Sequence, residues 1–231
     1  MRLKEGTPMF KIEGLSFQFD HEEIIQDLNF TMKSGTLACV IAPNGTGKTT
    51  LFRLIANRLK KNVGQIVIDG YDSHERVVFN SRLFFMEDAQ RLTESFSALE
   101  NLEVIKELWE STVDINEVVQ LLQMESFQHK KVKKMSLGMR QKVLIAAAIV
   151  SDAQLLIFDE PLNALDLKNI TLINALFLSL KKQGKMILLS SHNIYDLLEV
   201  TDNLYFLYQG KMRAVPNQLE TIKAHYFELF N

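Results

Sequence analysis

The chain has few of the features that mark secreted, membrane-spanning or nucleic-acid-binding proteins. Its 231 residues include one cysteine, Cys39 in an apolar run, so no disulfide framework can form and a reducing compartment is expected. No apolar run reaches the roughly 18 residues of a membrane span, and the first residues lack the apolar core of a signal peptide. With 26 basic against 28 acidic residues, a nucleic-acid partner is not expected. These absences together predict a soluble, cytosolic chain.

Residues 42–50, Ala-Pro-Asn-Gly-Thr-Gly-Lys-Thr-Thr, lie between an apolar run and a helical pattern. A strand, a glycine loop and a helix in this order are the context that a phosphate-binding P-loop requires. Glycines let the backbone wrap tightly, so that its N–H groups converge on phosphate oxygens at the positive end of the helix dipole. We expect Lys48 to reach the β- and γ-phosphates and the Thr49 hydroxyl to hold Mg²⁺. The predicted ATP-binding residues of this segment are Asn44, Gly45, Thr46, Gly47, Lys48, Thr49 and Thr50.

Two features qualify this interpretation of the P-loop segment. Ala42 occupies the position at which the usual pattern has glycine, and alanine adopts a positive φ only at a cost. The alternative interpretation is a glycine-rich turn between a strand and a helix that binds no ligand.

The hydrophobic pattern divides the chain into an N-terminal β part, a helical middle part and a second α/β part. Apolar residues first alternate, then take helical spacing from about residue 98, and finally form buried-type strands between helices. This order predicts an α/β fold with a mostly parallel core sheet, an antiparallel β-lobe and a helical subdomain at about 88–150. The predicted strands are 9–19, 24–32, 64–70, 82–86, 154–158, 185–190 and 204–208. The predicted helices lie within 98–127, where Asp114 caps the second one, and at about 168–182, 193–200 and 216–230.

Four further segments follow the P-loop in a fixed order. Residues 135–142, Met-Ser-Leu-Gly-Met-Arg-Gln-Lys, precede an apolar helix, and residues 155–161, Leu-Leu-Ile-Phe-Asp-Glu-Pro, end an apolar strand with two acids. Residues 162–166 are Leu-Asn-Ala-Leu-Asp, and residues 190–192, Ser-Ser-His, end a later strand. Each has an ordinary structural explanation in isolation: a helix N-cap, two acids at a strand end, a loop and a loop histidine.

Taken together with the P-loop, these segments resemble the signature, Walker B, D-loop and switch motifs of the ATP-binding-cassette (ABC) ATPases. The resemblance covers about residues 9–210 and implies one P-loop NTPase domain of the ABC type. Residues 1–87 and 151–231 would form the catalytic core with the β-lobe, and about 88–150 the helical subdomain with the signature. The implied reaction is hydrolysis of ATP to ADP and phosphate, with ATP and Mg²⁺ bound.

The resemblance also implies a role for each matching residue. Asp159 would hold Mg²⁺ together with Thr49, and Glu160 would be the general base or position the attacking water. His192 would contact the γ-phosphate, and Asp166 would act in the D-loop. Phe19 would stack on adenine, and Glu87 would approach Mg²⁺. Ser136 and Gly138 would contact the ATP bound by the opposite protomer. Glu87 aligns with the sensor glutamine of the family, and a structural core role is the alternative for Phe19.

One P-loop and one signature per chain imply a head-to-tail dimer that holds two ATP molecules. A transporter function would require a separate membrane subunit, docked on a groove beside the helical subdomain, with this chain peripheral on the inner face of the cell membrane. Candidates for lining that groove are Phe79, Phe84, Phe85 and Phe96, with core packing as the alternative for most of them. The Ser-Leu-Gly-Met pattern of the signature resembles exporters with separate membrane subunits.

Other classes of protein remain as alternatives. A soluble ABC ATPase that acts on a macromolecular partner would usually carry two cassettes or a long insertion. Another kind of P-loop enzyme would not explain the signature segment or His192, and a binding-only cassette would be expected to lack Glu160 or His192. The basic run 129–134 is expected to be a solvated linker, with a contribution to binding phosphates or anionic lipid head groups as the alternative.

Overall fold

The computed structural model describes residues 9–87, 91–191, 195 and 197–230. These residues form two β-sheets with helices around the larger sheet. In chain order the elements are β1 Met9–Phe19, β2 Glu22–Lys33, β3 Leu37–Ile41, α1 Lys48–Ile55, β4 Val63–Ile68, β5 Tyr71–Asp72, α2 Arg76–Ser81, β6 Leu83–Met86, α3 Ala98–Leu108, α4 Ile115–Leu121, a 3₁₀ turn Val132–Lys134, α5 Leu137–Val150, β7 Leu155–Phe158, α6 Leu167–Lys182, β8 Met186–Ser190, β9 Asn203–Tyr208, β10 Lys211–Val215 and α7 Leu219–Phe230.

The larger sheet has six strands in the order β10-β9-β3-β8-β7-β6. Five of them run parallel, and β10 pairs antiparallel with β9 at one edge. In this order β8 lies between β3, which leads into the P-loop, and β7, which leads to the two acids. Because parallel strands end at the same edge of a sheet, the loops that follow these three strands meet there.

The central strands are buried on both faces, which explains why their sequences are continuously apolar instead of alternating. Within β3, Cys39 faces one hydrophobic core and Val40 the other. The first core contains helices α3–α7, and the second contains α1 and the smaller sheet. The large sheet therefore separates two cores that hold it from opposite sides.

The smaller sheet is antiparallel, with the order β2-β1-β4-β5. Alternate residues of β1 and β2 are buried, as the period-2 pattern predicts. This sheet is the predicted β-lobe, and Ile24 at its β1–β2 hairpin lies against the P-loop.

The helical part consists of α3, α4 and α5. Ser97 begins α3 with a capping box, in which its hydroxyl accepts from Glu100 N while the Glu100 carboxylate accepts from Ser97 N. Asp114 caps α4, as predicted, by accepting from Asn116 N at 2.8 Å. Helix α5 is buried almost all round, so it packs inside the molecule between α3, α4 and the sheet.

The α/β fold with an antiparallel lobe is confirmed, with differences at short or polar elements. Helix α2 and strands β5 and β10 are too short or too polar for their sequences to show. The predicted helix at 193–200 lies partly outside the described residues, and residues 197–200 form turns. Among the described residues, no helix combines the length and apolarity that a membrane crossing needs.

Candidate functional site: a phosphate-binding cleft

The P-loop has the backbone that its glycines permit. Gly45 and Gly47 have φ of 85° and 100°, a region that residues with a side chain rarely adopt. A Cβ at Gly47 would lie 2.8 Å from Ile24 Cγ2, so glycine there also lets the β-lobe approach the loop. Ala42 is buried and does not have a positive φ, so the alanine at this position causes no backbone strain.

Lys48 is the first residue of α1, and its side chain is only 7% exposed. Its ammonium group donates to the carbonyl oxygens of Ala42 and Pro43, the latter at 3.0 Å. Burial lowers the pKa of Lys48, and the nearby carboxylates of Glu160 and Asp159 partly oppose this shift. A buried cation in contact with the loop is well placed for phosphate oxygens.

Asp159 is held at the centre of a hydrogen-bond network between the three strand ends. Thr49 Oγ1 donates to Asp159 Oδ2 at 2.6 Å, and Ser190 Oγ donates to Asp159 Oδ1 at 2.5 Å. Ser190 Oγ also accepts from the backbone N–H of Glu160 at 2.9 Å. Since β8 lies between β3 and β7, Ser190 at its end can contact both acids.

The side-chain oxygens of Thr49 and Asp159 are suitable ligands for Mg²⁺. This ion is held by few protein oxygens and keeps its other positions for phosphate and water. No group of three or more His, Cys, Asp or Glu residues suited to a metal occurs in the part of the chain that is described. Thr49 and Asp159 would hold the ion, which would supply charge neutralisation for phosphate oxygens.

Glu160 has a left-handed backbone, with φ of 53°. This conformation is uncommon for a residue with a side chain, and such strain occurs often at functional sites. Glu160 lines the same cleft of about 560 Å³ as the P-loop. The cleft is lined by Ile24, Asn44, Gly45, Gly47, Lys48, Thr49, Thr50, Glu87, Leu137, Arg140, Gln141, Asp159, Glu160 and Asn163. We refer to it as the P-loop cleft.

A second cleft of about 530 Å³, the signature cleft, contains Ser136 and Gly138. Ser136 caps α5 by accepting from Met139 N at 3.3 Å, so the N-cap interpretation of this residue is correct whether or not it also binds a ligand. A Cβ at Gly138 would lie 3.0 Å from the carbonyl oxygen of Ala164, and glycine thus permits close packing of α5 on the D-loop. Asp166 lines this cleft too and caps α6 through Asn169 N.

The structure therefore divides the predicted site residues between two places. The P-loop residues 44, 45 and 47–50, with Asp159, Glu160 and Glu87, line one cleft, whereas Ser136, Gly138 and Asp166 line the other. Thr46 is turned toward Pro43, whose carbonyl oxygen accepts from its hydroxyl at 2.9 Å. His192 lies outside the described residues.

Two predicted residues have surroundings that their sequence did not show. The Glu87 carboxylate accepts hydrogen bonds from Arg53 through both oxygens, and this interaction lowers its pKa. Phe19 is 46% exposed at the end of β1, packs edge-on against Phe17, and is not among the residues that line the P-loop cleft. Contact of Glu87 with Mg²⁺ and of Phe19 with adenine stay predictions.

Sequence reasoning missed Ser190, which contacts Asp159, and several residues that line the P-loop cleft. Ser190 could have been found from its place at the end of a buried strand, because the neighbouring strand ends in Asp159. Arg140, Gln141 and Asn163 give no such signal, since they reach the cleft only through the packing of α5 and the D-loop.

The thiol of buried Cys39 on β3 has low reactivity. Burial raises the pKa of its thiol, and the charge of Glu160 adds to the shift, so the reactive thiolate is disfavoured.

Comparison with known proteins assigns the family. A family model described as ABC transporter matches residues 25–163, which include the P-loop, the signature and both acids. The chain belongs to the ABC transporter family. Its resemblance to ABC ATPases is thereby confirmed, and the chain is an ATPase of the ABC-transporter type.

Individual ABC proteins are similar over nearly the whole chain. An ABC transporter ATP-binding protein of Bacillus subtilis, YybJ, is 28% identical over 89% of this chain and 95% of its own length. The lantibiotic transport ATP-binding protein SrtF of Streptococcus pyogenes is 28% identical over 88% of this chain and 89% of its own. A solved ATP-binding subunit of an ABC transporter superposes with a TM-score of 0.84 at 22% identity, covering 96% of this chain and 95% of that one, which shows the shared fold.

Proposed function

We propose that this chain is the ATP-hydrolysing subunit of an ABC exporter, in which ATP-driven closure of a dimer acts on a separate membrane subunit. The observation that supports the ATP-hydrolysing role is the network in which Thr49 and Ser190 hold Asp159, in the cleft that Lys48 and Glu160 also line. Such a network fixes the acids relative to the P-loop before ATP arrives, and preorganised groups need little rearrangement during the reaction.

In the P-loop cleft, the backbone N–H groups of the loop and Lys48 would bind the β- and γ-phosphates. Glu160 would accept a proton from a water molecule. At the same time the water oxygen would bond to the γ-phosphorus, and the bond between that phosphorus and the ADP oxygen would break. Mg²⁺ held by Thr49 and Asp159 would neutralise charge on the phosphate oxygens. The backbone N–H of Glu160 donates to Ser190, which fixes the start of this side chain relative to Asp159.

A second copy of the chain would complete the site. Within one chain, Ser136 and Gly138 line the signature cleft and not the P-loop cleft, although Leu137 between them lines both. Leu137 is 57% exposed and Leu167, at the start of α6 after the D-loop, is 78% exposed. Apolar side chains at these positions favour burial against another protein surface, in agreement with a head-to-tail dimer.

The membrane subunit would dock on a groove between the core and α3, which we call the docking groove. It is lined by Arg53, Arg58, Leu59, Phe84, Phe85, Glu87, Arg91, Ile105, Leu108 and Trp109. Phe84 and Phe85 form part of this groove although both side chains are largely buried, while Phe79 is a core residue. Leu108 is 70% exposed. Glu87 lines both this groove and the P-loop cleft, which offers a physical connection between partner docking and the ATP site.

Export is the direction that we propose, because the Ser-Leu-Gly-Met signature resembles exporters with separate membrane subunits. The similar SrtF is named for lantibiotic transport. The chain itself would lie on the inner face of the cell membrane, held there by its membrane subunit.

The test of the catalytic assignment is the substitution Glu160→Gln. This change keeps the size of the side chain but removes the base, so we expect ATP binding to remain and hydrolysis to fall by about 10²- to 10⁴-fold. Glu103→Gln, at an exposed position of α3, is the matched control and should hydrolyse ATP as the unmodified protein does. Turnover in Glu160→Gln equal to that of the control would show that Glu160 is not the base.

The test of the transporter assignment is co-purification from the native cell in a mild detergent. We expect an integral membrane protein in stoichiometric amount. Retention of ribosomal or DNA-repair proteins without a membrane protein would favour the alternative, a soluble ABC ATPase that acts on a macromolecule.

A further inference from the structure

A cleft with several positive charges lies on a surface that the ATP site does not use. It is formed by the segment that follows α1 and by the segment between β5 and α2, and its volume is about 440 Å³. Its lining includes Arg58, Lys60, Lys61 and Arg76, with the buried Ser73 on its wall. We refer to it as the basic cleft.

Among the described residues, Lys60, Lys61 and Arg76 of the basic cleft have no carboxylate partner, whereas Arg58 interacts with the charge of Glu87. Lys61 donates to Ser73 Oγ at 2.7 Å, and Arg76 and Arg58 donate to the backbone carbonyl oxygens of Asn57 and Phe85.

The two acids nearest along the chain have partners of their own. Asp72 accepts from His74, and Glu75 accepts from the Asp72 backbone N–H at 3.3 Å. Three cations without an ion pair, together with Arg58, in a chain of net charge −2 favour an anionic ligand.

Two exposed valines are close in sequence to cations of the basic cleft. Val63, two residues after Lys61, is 59% exposed, and Val77, next to Arg76, is 86% exposed. Exposed apolar side chains beside lysines and arginines match the boundary of a bilayer, where head groups meet acyl chains. A free phosphate ion would make no use of these valines.

We propose that the basic cleft binds the anionic phospholipid surface of the membrane. Lysine and arginine side chains would bind the head-group phosphates, and the valines would contact the edge of the acyl region. Arg58 lines both the basic cleft and the docking groove, so a cassette seated on its membrane subunit would have the cleft beside that interface. This last argument rests on the proposed function, whereas the argument from charge does not.

The experiment measures binding of the nucleotide-free protein to vesicles by co-sedimentation. One set of vesicles is pure phosphatidylcholine, and the other contains about one third phosphatidylglycerol. We expect binding to the anionic vesicles only, weakening as salt is raised. No ATP and no membrane subunit are present, so a failure here is separate from a failure of the proposed function.

The decisive variant replaces Lys60, Lys61 and Arg76 by glutamine. A loss of about fivefold per cation predicts binding that is about a hundredfold weaker. The matched control replaces Lys130, Lys133 and Lys134 by glutamine, because these exposed lysines of the basic run remove the same charge from another surface. ATP binding by both variants would show that they are folded.

The proposal is supported if the cleft variant loses tenfold or more in binding and the control loses less than threefold. Equal binding of the unmodified protein to both kinds of vesicle would overturn it. So would an equal loss in the two variants, since net charge and not the cleft would then be responsible, and so would a smaller loss in the cleft variant.

Discussion

The P-loop cleft and the signature cleft have similar volumes, about 560 and 530 Å³, but different chemistry. Each contains a largely buried lysine, Lys48 or Lys142, whose pKa is lowered by burial. The charges of Glu160 and Asp159 partly oppose this shift at Lys48, and the charge of Asp166 partly opposes it at Lys142. In the P-loop cleft, Asp159 is fixed by two side-chain hydroxyls from neighbouring elements. In the signature cleft, Ser136 and Asp166 contact the first turns of their own helices.

This difference separates a cleft that is organised within one chain from one that is not. The groups of the P-loop cleft are held by contacts between strands β3, β7 and β8, so the fold itself sets their positions. The groups of the signature cleft are helix caps at the surface, next to the exposed Leu137. Such caps leave room for a ligand brought by another chain, which is the arrangement that the proposed dimer requires.

The strongest test of the comparison mixes two inactive variants. Lys48→Ala removes the phosphate-binding cation, and Ser136→Asp keeps a good N-cap but adds negative charge where the partner's ATP would lie. We expect each variant alone to hydrolyse ATP at least about a hundredfold more slowly than the unmodified protein. A mixture of equal amounts should recover up to about a quarter of the unmodified rate, because half of the dimers contain both variants and one of their two sites is intact.

Recovery on mixing would be absent if each site were formed within one chain. The control is a mixture of Lys48→Ala with Glu160→Gln, two changes in the same cleft. No mixed dimer of that pair contains an intact site, so its rate should stay at the background. Recovery in the control mixture as well would contradict the division into two half-sites.

A smaller effect is expected from the exposed leucine of the D-loop face. Leu167→Ser removes an apolar side chain that the proposed dimer would bury, at a cost of about 1.5–3 kcal/mol. ATP-dependent dimerisation of a Glu160→Gln background, measured by sedimentation, should therefore weaken by about tenfold or more. Leu121→Ser, at an exposed position of α4, is the matched control and should leave the dimer unchanged. Equal dimerisation of both variants would show that Leu167 does not lie in the dimer interface.

The parts of the fold that the sequence predicts are those in which one local signal suffices. Continuous apolar runs identify β3, β7 and β8, and glycines beside Lys48 identify the P-loop. Ordered motifs then add the family and most of the candidate residues that line the two clefts. Short polar elements such as β10 were missed because their conformation is set by pairing with β9 and not by their own pattern.

Contacts between distant segments set the rest of the site, and one sequence does not encode them visibly. The interaction of Ser190 with Asp159 depends on strand order, and that of Glu87 with Arg53 on how β6 lies beside α1. The prediction that Glu87 approaches Mg²⁺ was based on its carboxylate alone and did not include Arg53. Similarly, the possible strain at Ala42 could be judged only from its backbone angles.

The smallest expected effect comes from Ala42→Gly, which restores the usual residue of the P-loop pattern. Because Ala42 does not have a positive φ, glycine relieves no strain, and the rate of ATP hydrolysis should change by less than about twofold. The methyl group is buried and glycine is more flexible in the unfolded chain, so the free energy of unfolding should fall by about 1 kcal/mol, measured by urea denaturation. Gly47→Ala is the contrasting variant, because φ of 100° and the nearby Ile24 oppose a side chain there, and it should weaken ATP binding. A large gain of activity in Ala42→Gly would mean that the P-loop cleft is less well organised by this chain than its hydrogen bonds indicate.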